Sequence, residues 1–431
     1  MVERERILVA NIIEEGRWGG PQKRISMVAR ALLDLDVETV VILPERDSAR
    51  FRESLSEGGV PFITLRLTRL ERKAKALLGY FCSFIPDVFR LYRTLKQRPY
   101  DLVHISGGAW QIKGALAARW AGIPIIWHLN DTKMPPAVAA VFSFLAPRLA
   151  IAFFVAADRC RTTYLSSRRL AAFPCYLVPA PVDTRSRASP RHPPDARICA
   201  LAGVKIVSVA NINPIKGLET LISATELLHK AGHDFTVAII GPVFETQVKY
   251  FSSLQQRVAK SGLEKRVVFL GGVEDAVPCM EAADIYVCSS VAEASPMTVW
   301  EAMSASKPVV STDVGDVSTY VRSGESGYVV PIGDSPAIAA AILTLMNDAE
   351  KRMDFGERAR KIVEANLDLL VVAKKTVDSY RKVLALEADG FALGGPRSGS
   401  DCANLTQRDG NAHSAELARG AGPVATRRPS P

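Results

Sequence analysis

The feature that most constrains this chain is an alternation, repeated twice, of short apolar runs with amphipathic helical stretches. The runs RILVANI (6–12), VETVVILP (37–44), DLVHIS (101–106) and IPIIWHL (123–129) carry almost no polar face, and helical spacing follows at 25–35 and 110–121. Strands that are apolar on both faces belong in a parallel sheet covered by helices on both sides. LAIAFFVAAD and CYLVPAPVD (175–183) complete this unit. After a Pro- and Arg-rich stretch at 184–197, the pattern restarts with VKIVSVANI (204–212), FTVAIIG (235–241), RVVFLGG (266–272), ADIYVCSS (283–290), KPVVST (307–312) and SGYVVP (326–331). Helices are expected over 217–230, up to about 261, over 335–365 and over 367–386. The reading is two Rossmann-like doubly wound α/β domains facing across a cleft, at the carboxyl ends of both sheets where such folds place ligands. The boundaries follow: a first domain at 1–185, a linker at 186–203, a second domain at 204–366, and a helix at 367–388 packing back toward the first domain. The segment 389–431 is poor in apolar residues and rich in Gly, Pro, Ser and Arg, and is expected to be disordered.

The chain has 431 residues, 48% of them hydrophobic, enough to build such cores. Its seven cysteines form no Cys-x-x-Cys pair and are odd in number, which points to packed thiols in a reducing compartment, not to disulfides or zinc. MVERERILVANI opens charged and runs directly into a strand, without a signal-peptide pattern, so a cytoplasmic protein is expected. The most membrane-like stretch is 134–158. Pro147-Arg148 is expected to break it into pieces too short for about 30 Å of hydrocarbon, leaving a helix and a buried strand. The net charge of +9 suggests anionic partners, with no sign of nucleic acid among them. The segment 66–98 interleaves Arg and Lys with Leu, Phe and Tyr at helical spacing. Two readings stand: a helix lying on anionic lipid, and a core-facing helix with a solvated basic face.

The chemistry is concentrated in VAEASPMTVWEAMSASKPVVSTDVGDV, 291–317. Ser295 is a natural helix cap and Pro296 suits a first turn, so a helix is expected from there through Ala305. The amides of Met297 and Thr298 would then open toward the cleft, a setting that binds phosphate. Glu293 and Glu301 would be repelled by phosphate and should accept hydrogen bonds from hydroxyl groups. A diphosphate flanked by hydroxyl-rich groups is a nucleotide sugar. The plainer alternative is a surface helix with ordinary capping acids. In VSVANINPIKGLETLI, Lys216-Gly217 opens another helix beside the cleft, with Lys216 suited to a leaving diphosphate or simply solvated. Gly-x-Gly-x-x-Gly and Walker A loops are absent, Asp34-Leu35-Asp36 ends an amphipathic helix, and the six histidines show no ligand spacing. No metal is expected.

The span from Glu293 to Glu301, followed by Ala-Met and by Lys307-Pro308-Val309-Val310-Ser-Thr-Asp-Val-Gly315, resembles the Glu-x7-Glu signature of the retaining family-four glycosyltransferases of GT-B fold, of the bacterial polysaccharide type. Over roughly 6–385 the other marks are Gly19-Gly20, His128 in IIWHLND, Val182-Asp183, Lys216-Gly217, Gly241 and FLGGVED at 269–275. The resemblance implies that Glu293 contacts the donor sugar, Glu301 the ribose, Lys216 the diphosphate and the Gly20 amide the phosphates. It also implies that His128 lies near the transferred sugar and that backbone around Gly272–Val273 reads the base. Gly241, Pro296, Met297 and Thr298 would complete the donor site. Ala210-Asn211 stand where Gly-Arg is common, leaving Asn211, Lys23 or Arg24 to replace the missing arginine. Ala180-Pro181 and Gly315-Asp316 also depart from the family's Asn-Gly and Gly-Gly. The implied reaction is retaining, metal-independent transfer of a hexose from a UDP- or GDP-linked sugar, without cofactor, to a glycan or lipid-linked acceptor. Front-face attack, the leaving phosphate taking the acceptor proton, belongs to that family picture. The site would be cytoplasmic, on the inner face of the plasma membrane. Two alternatives remain at this point: a nucleotide-sugar 2-epimerase using His128, Glu293 and Asp131 as acids and bases, and a non-catalytic nucleotide-sugar binder.

Overall fold

The computed structural model describes residues 6–69, 74–185 and 193–388. The expected tail at 389–431 and the linker residues 186–192 lie outside the described residues. Seven strands form the first sheet: β1 (Ile7–Ile12), β2 (Val37–Pro44), β3 (Phe62–Leu65), β4 (Leu102–Ile105), β5 (Ile125–Leu129), β6 (Ala152–Val155) and β7 (Cys175–Leu177). They lie in the order β3-β2-β1-β4-β5-β6-β7, every neighbouring pair parallel. Six more form the second sheet: β8 (Val204–Val209), β9 (Phe235–Ile240), β10 (Val267–Gly271), β11 (Ile285–Cys288), β12 (Val309–Thr312) and β13 (Gly327–Val330). Their order is β10-β9-β8-β11-β12-β13, again all parallel. Strand order reverses between β1 and β4 and between β8 and β11, which opens the crevice where doubly wound sheets take ligands.

Both faces of the first sheet are buried, as apolar strands require. On one, Val9, Leu102, Ile126 and Phe154 pack against Val28 and Leu32 of helix Gly20–Leu33 and against Val372, Val377 and Tyr380 of helix Leu369–Ala388. On the other, Ile12, Ile105 and Trp127 meet Val88, Leu91, Ala117 and Phe142 from helices Ala74–Leu95, Ile112–Ala121 and Pro136–Leu149. Each such aliphatic side chain contributes about 1.5–3 kcal/mol on burial. Helix Leu369–Ala388 leaves the second domain where Val182 N–H donates to Leu367 O (2.9 Å) and Leu369 N–H donates to Val182 O (2.9 Å).

Three expectations need correction. Pro147 does not break its helix, which runs Pro136–Leu149. It falls in the last turn, where its lost N–H costs one bond and the chain straightens at Ala150. The stretch at 335–365 is two helices, Ser335–Met346 and Ala349–Asn366, because the Asp348 carboxylate accepts from Lys351 N–H at 2.8 Å and starts a new one. Cys160, Cys279 and Cys288 are buried as expected of packed thiols, but Cys82 and Cys199 are exposed. No helix among the described residues is long and apolar enough to cross a membrane.

The segment 66–98 satisfies neither of its two readings alone. Helix Ala74–Leu95 buries Tyr80, Val88, Leu91 and Leu95 against the sheet, yet its outer face is also apolar: Leu78 is 66% exposed, Phe81 64%, Ile85 60% and Phe89 48%. Arg90 and Arg93 stand on that outer face, Arg93 over the Phe89 ring at 5.1 Å. Upstream, Arg66 pairs with Glu45, and Arg69 with Glu15 and Asp47. Residues 70–73 lie outside the described residues.

Candidate active site

The loop after β11 and the turn after β8 meet in the cleft. Glu293 Oε1 accepts from Lys216 Nζ at 2.6 Å and from Ser290 Oγ at 2.8 Å. Burial lowers the Lys216 pKa, but the Glu293 carboxylate outweighs it and holds the amine above its ordinary value, so Lys216 is a cation at neutral pH. Its position depends on Gly217, whose φ of 59° is left-handed and whose absent Cβ would lie 2.1 Å from Ser289 O. Together with Lys216 and Glu293, the residues Tyr286, Ser290 and Thr298 line one small pocket. Across it, the Thr132 hydroxyl donates to the Glu293 carbonyl at 3.0 Å and ties this loop to the first domain.

The helix beyond Glu293 spans Met297–Ser304, with Pro296 as its cap residue and no side-chain capping bond. Ser295 is therefore not the expected cap. Its hydroxyl donates to Asp316 Oδ2 (3.0 Å) and accepts from Ala180 N–H (3.1 Å) and Trp300 Nε1–H (3.1 Å), joining the two domains. The first bond of this helix runs from Val299 N–H to Pro296 O, and among the described residues the amides of Met297 and Thr298 donate to no backbone carbonyl. Glu301 is buried one turn further in and pairs with Lys23 Nζ of the first domain at 2.5 Å. Lys23 is thus occupied by a carboxylate. Arg24, the other proposed substitute for the missing arginine, is turned inward and buried, and burial lowers its pKa to about 10. Asn211 remains beside the cleft, with Oδ1 buried and unpartnered among the described residues. Gly241 is dictated by packing, since a Cβ there would meet Ala210 O at 2.1 Å. Gly272 and Val273 follow β10 in the next loop, Gly272 exposed.

On the first-domain side, Gly19 and Gly20 open helix Gly20–Leu33, and nothing lies within 4 Å of where a Gly20 Cβ would stand. His128, the next-to-last residue of β5, is buried, its Nε2 unpartnered among the described residues. Sequence reasoning missed its neighbours: His104 stacks on it with centroids 5.3 Å apart, and Tyr380 reaches His104 from helix Leu369–Ala388. Asp131 follows in the loop after β5. Burial raises its carboxyl to about 7, and the Tyr164 hydroxyl donates to it. Ser290 and Thr132, which hold Glu293, were also missed; only their adjacency to strand ends could have signalled them. Among the described residues, no cluster of His, Cys, Asp and Glu could hold a metal ion.

Similarity to known proteins falls on the same two halves. The family model of glycosyl transferases group 1 matches residues 202–362, and that of the glycosyl transferase 4-like domain matches residues 19–196. The lipopolysaccharide core biosynthesis mannosyltransferase LpcC of Rhizobium leguminosarum is 29% identical over 184 residues, 41% of this chain and 52% of that protein. The phosphatidyl-myo-inositol mannosyltransferase of Mycobacterium leprae is 31% identical over 173 residues, 39% of this chain and 44% of that protein. The chain thus spans about half the length of these curated relatives. A crystal structure of Anabaena Alr3699/HepE in complex with UDP and glucose superposes with a TM-score of 0.72 at 21% identity, covering 86% of this chain and 99% of that one. That is a likeness of fold.

Proposed function

The chain belongs to the group 1 glycosyltransferases of GT-B fold, and on that premise we propose that it moves a sugar from a nucleotide-sugar donor to an acceptor hydroxyl. The observation that carries the reading is the Lys216–Glu293 pair at 2.6 Å beside the open amides of Met297 and Thr298. As the glycosidic bond breaks, negative charge grows on the departing diphosphate while the sugar becomes cationic. The two amides and Lys216, which would exchange its Glu293 partner for the diphosphate, would meet the first charge, and Glu293, still held by Ser290, would face the second and the sugar hydroxyls. One such donor is worth about 10²–10³ in turnover. The positive charge comes from the protein, so we read the transfer as metal-independent. Following the resemblance to retaining enzymes of this fold, we favour front-face attack with retention, the leaving phosphate taking the acceptor proton.

HepE was crystallised in complex with UDP and glucose, and the two relatives are by name a lipopolysaccharide core biosynthesis mannosyltransferase and a phosphatidyl-myo-inositol mannosyltransferase. These names favour a hexose, carried on UDP as in HepE, and a lipid-linked or polysaccharide acceptor; GDP is the other carrier we propose to test. The apolar outer face of helix Ala74–Leu95, with Arg90 and Arg93 on it, suits the membrane surface from which such an acceptor would be presented. The epimerase reading left open by the sequence finds no support among the relatives. Incubation with UDP- and GDP-sugars and no acceptor separates the readings. Slow release of free sugar with nucleoside diphosphate is expected, insensitive to EDTA. A new epimer, or no reaction with any donor, would overturn the proposal, and loss of activity restored by magnesium would overturn its metal-free form.

A further inference from the structure

Three buried rings in the first domain form a hydrogen-bonded line. Tyr380 Oη lies 2.6 Å from His104 Nδ1, and His104 Nε2 lies 3.1 Å from His128 Nδ1. Phe154 packs edge-on against both imidazoles and stacks flat on Tyr380 at 13°, so the rings have no room to rotate. His128 Nε2, at the far end, has no partner among the described residues.

A neutral imidazole offers one donor and one acceptor, and which nitrogen carries the proton is set by the bonds it makes. Both rings are neutral here. Burial pushes His104 down to about 3 and His128 well below its ordinary value, and the Arg24 cation acts in the same direction on each. The groups that act on the pair are Arg24 and the histidines themselves, with Tyr380 held as a phenol by burial. The proton order along the line is then forced by its end. The Tyr380 hydroxyl has no acceptor among the described residues except His104 Nδ1, so it donates there. His104 must carry its proton on Nε2 and donate to His128 Nδ1. His128 must carry its proton on Nε2. The reverse order would leave the Tyr380 hydroxyl proton buried without an acceptor, which is costly.

We propose that helix Leu369–Ala388, through Tyr380 and His104, fixes His128 as the Nε2–H tautomer, so that it meets the donor sugar as a neutral hydrogen-bond donor to a hydroxyl oxygen. This deepens the proposed function and rests on its donor sugar reaching the carboxyl end of β5, where His128 stands with Nε2 buried and unpartnered among the described residues. Tyr380 and His104 are positioning residues. The arrangement also selects: it favours a sugar presenting an oxygen acceptor at that point and disfavours one presenting an ammonium.

Two-bond ¹H–¹⁵N spectra of protein labelled at histidine nitrogen, assigned with His104→Gln and His128→Gln variants, read the tautomer directly. The expected result is a protonated Nε2 and bare Nδ1 at His128, unchanged from pH 5.5 to 8. A protonated Nδ1 at His128, or an imidazolium in that range, overturns the proposal. In Tyr380→Phe we expect mixed tautomers at both rings and turnover lowered about tenfold, the scale of one neutral hydrogen bond, with UDP or GDP affinity unchanged. Unaltered tautomers and turnover in Tyr380→Phe also overturn it. Should the wild type transfer no sugar, the functional reading fails while the spectra still decide the tautomer.

Discussion

At the scale of single residues, Ser295 shows how a motif can mislead. Ser-Pro ahead of an apolar run reads as a helix cap, and nothing local says otherwise. In the folded chain the hydroxyl is the hub of three bonds, to Asp316, Ala180 and Trp300, the Ala180 bond crossing between domains. Ser295→Ala should cost about 1–3 kcal/mol, because it leaves buried donors unmet; a denaturation midpoint equal to that of the wild type would contradict this. Glu293 and Lys216 were legible because their chemistry is local to a turn and a helix start. His104 and Tyr380 were not, because 276 residues separate the two partners of their bond. Asp131 gives a pH test. Burial raises its folded pKa to about 7, against about 3.9 for an unfolded Asp. The folded state therefore holds the proton more tightly, and stability present below about pH 4 is lost as pH rises through about 7. Glu14, also raised by burial to about 7, contributes in the same direction. The buried neutral His104 and His128 act in the opposite sense up to about pH 6.5, so the test is the difference between proteins: from pH 5 to 8 the melting temperature of Asp131→Asn should rise relative to that of the wild type, and an identical pH dependence in the variant would rule out this role.

Among the elements, helix Ala74–Leu95 is the one whose sequence pattern was ambiguous for a physical reason. Apolar residues at helical spacing mark a buried stripe, but this helix carries two stripes, and only tertiary contact shows which one the sheet takes. Tyr80, Val88, Leu91 and Leu95 are covered, and Leu78, Phe81, Ile85 and Phe89 are left outside. Burying Phe81 and Ile85 in lipid would contribute about 1.5–3 kcal/mol each, and each basic residue near an anionic surface about 1 kcal/mol. The protein should sediment with anionic vesicles and be released by salt, which screens the charges. The double variant Phe81→Ser, Ile85→Ser should bind at least tenfold more weakly. Undiminished binding by the variant, or no binding by the wild type, would rule the docking face out. Elsewhere the periods were sufficient: the runs quoted from the sequence contain all strands except β3. That short edge strand has only half-buried residues and no continuous apolar run to announce it.

For the whole molecule, the repeated alternation of strand and helix was enough to read two doubly wound domains. The closure between them was not readable. Lys23 to Glu301, Thr132 to Glu293 and Ala180 to Ser295 join residues 278, 161 and 115 positions apart. Each is a polar side chain that would serve equally well on a solvated surface. These bonds bring the two domains together beside Lys216, Glu293 and the first amides of helix Met297–Ser304. Whether that arrangement moves sugars is tested most directly by the turnover of one nucleotide-sugar donor in wild type, Lys216→Ala and Glu293→Ala, with nucleoside diphosphate affinity and melting temperature measured on the same samples. The account predicts that both variants fold, that each loses at least about 2–3 kcal/mol of transition-state stabilisation, roughly fiftyfold or more in turnover, and that only Lys216→Ala weakens the diphosphate. Turnover within threefold of wild type in either variant, with normal melting, would contradict it.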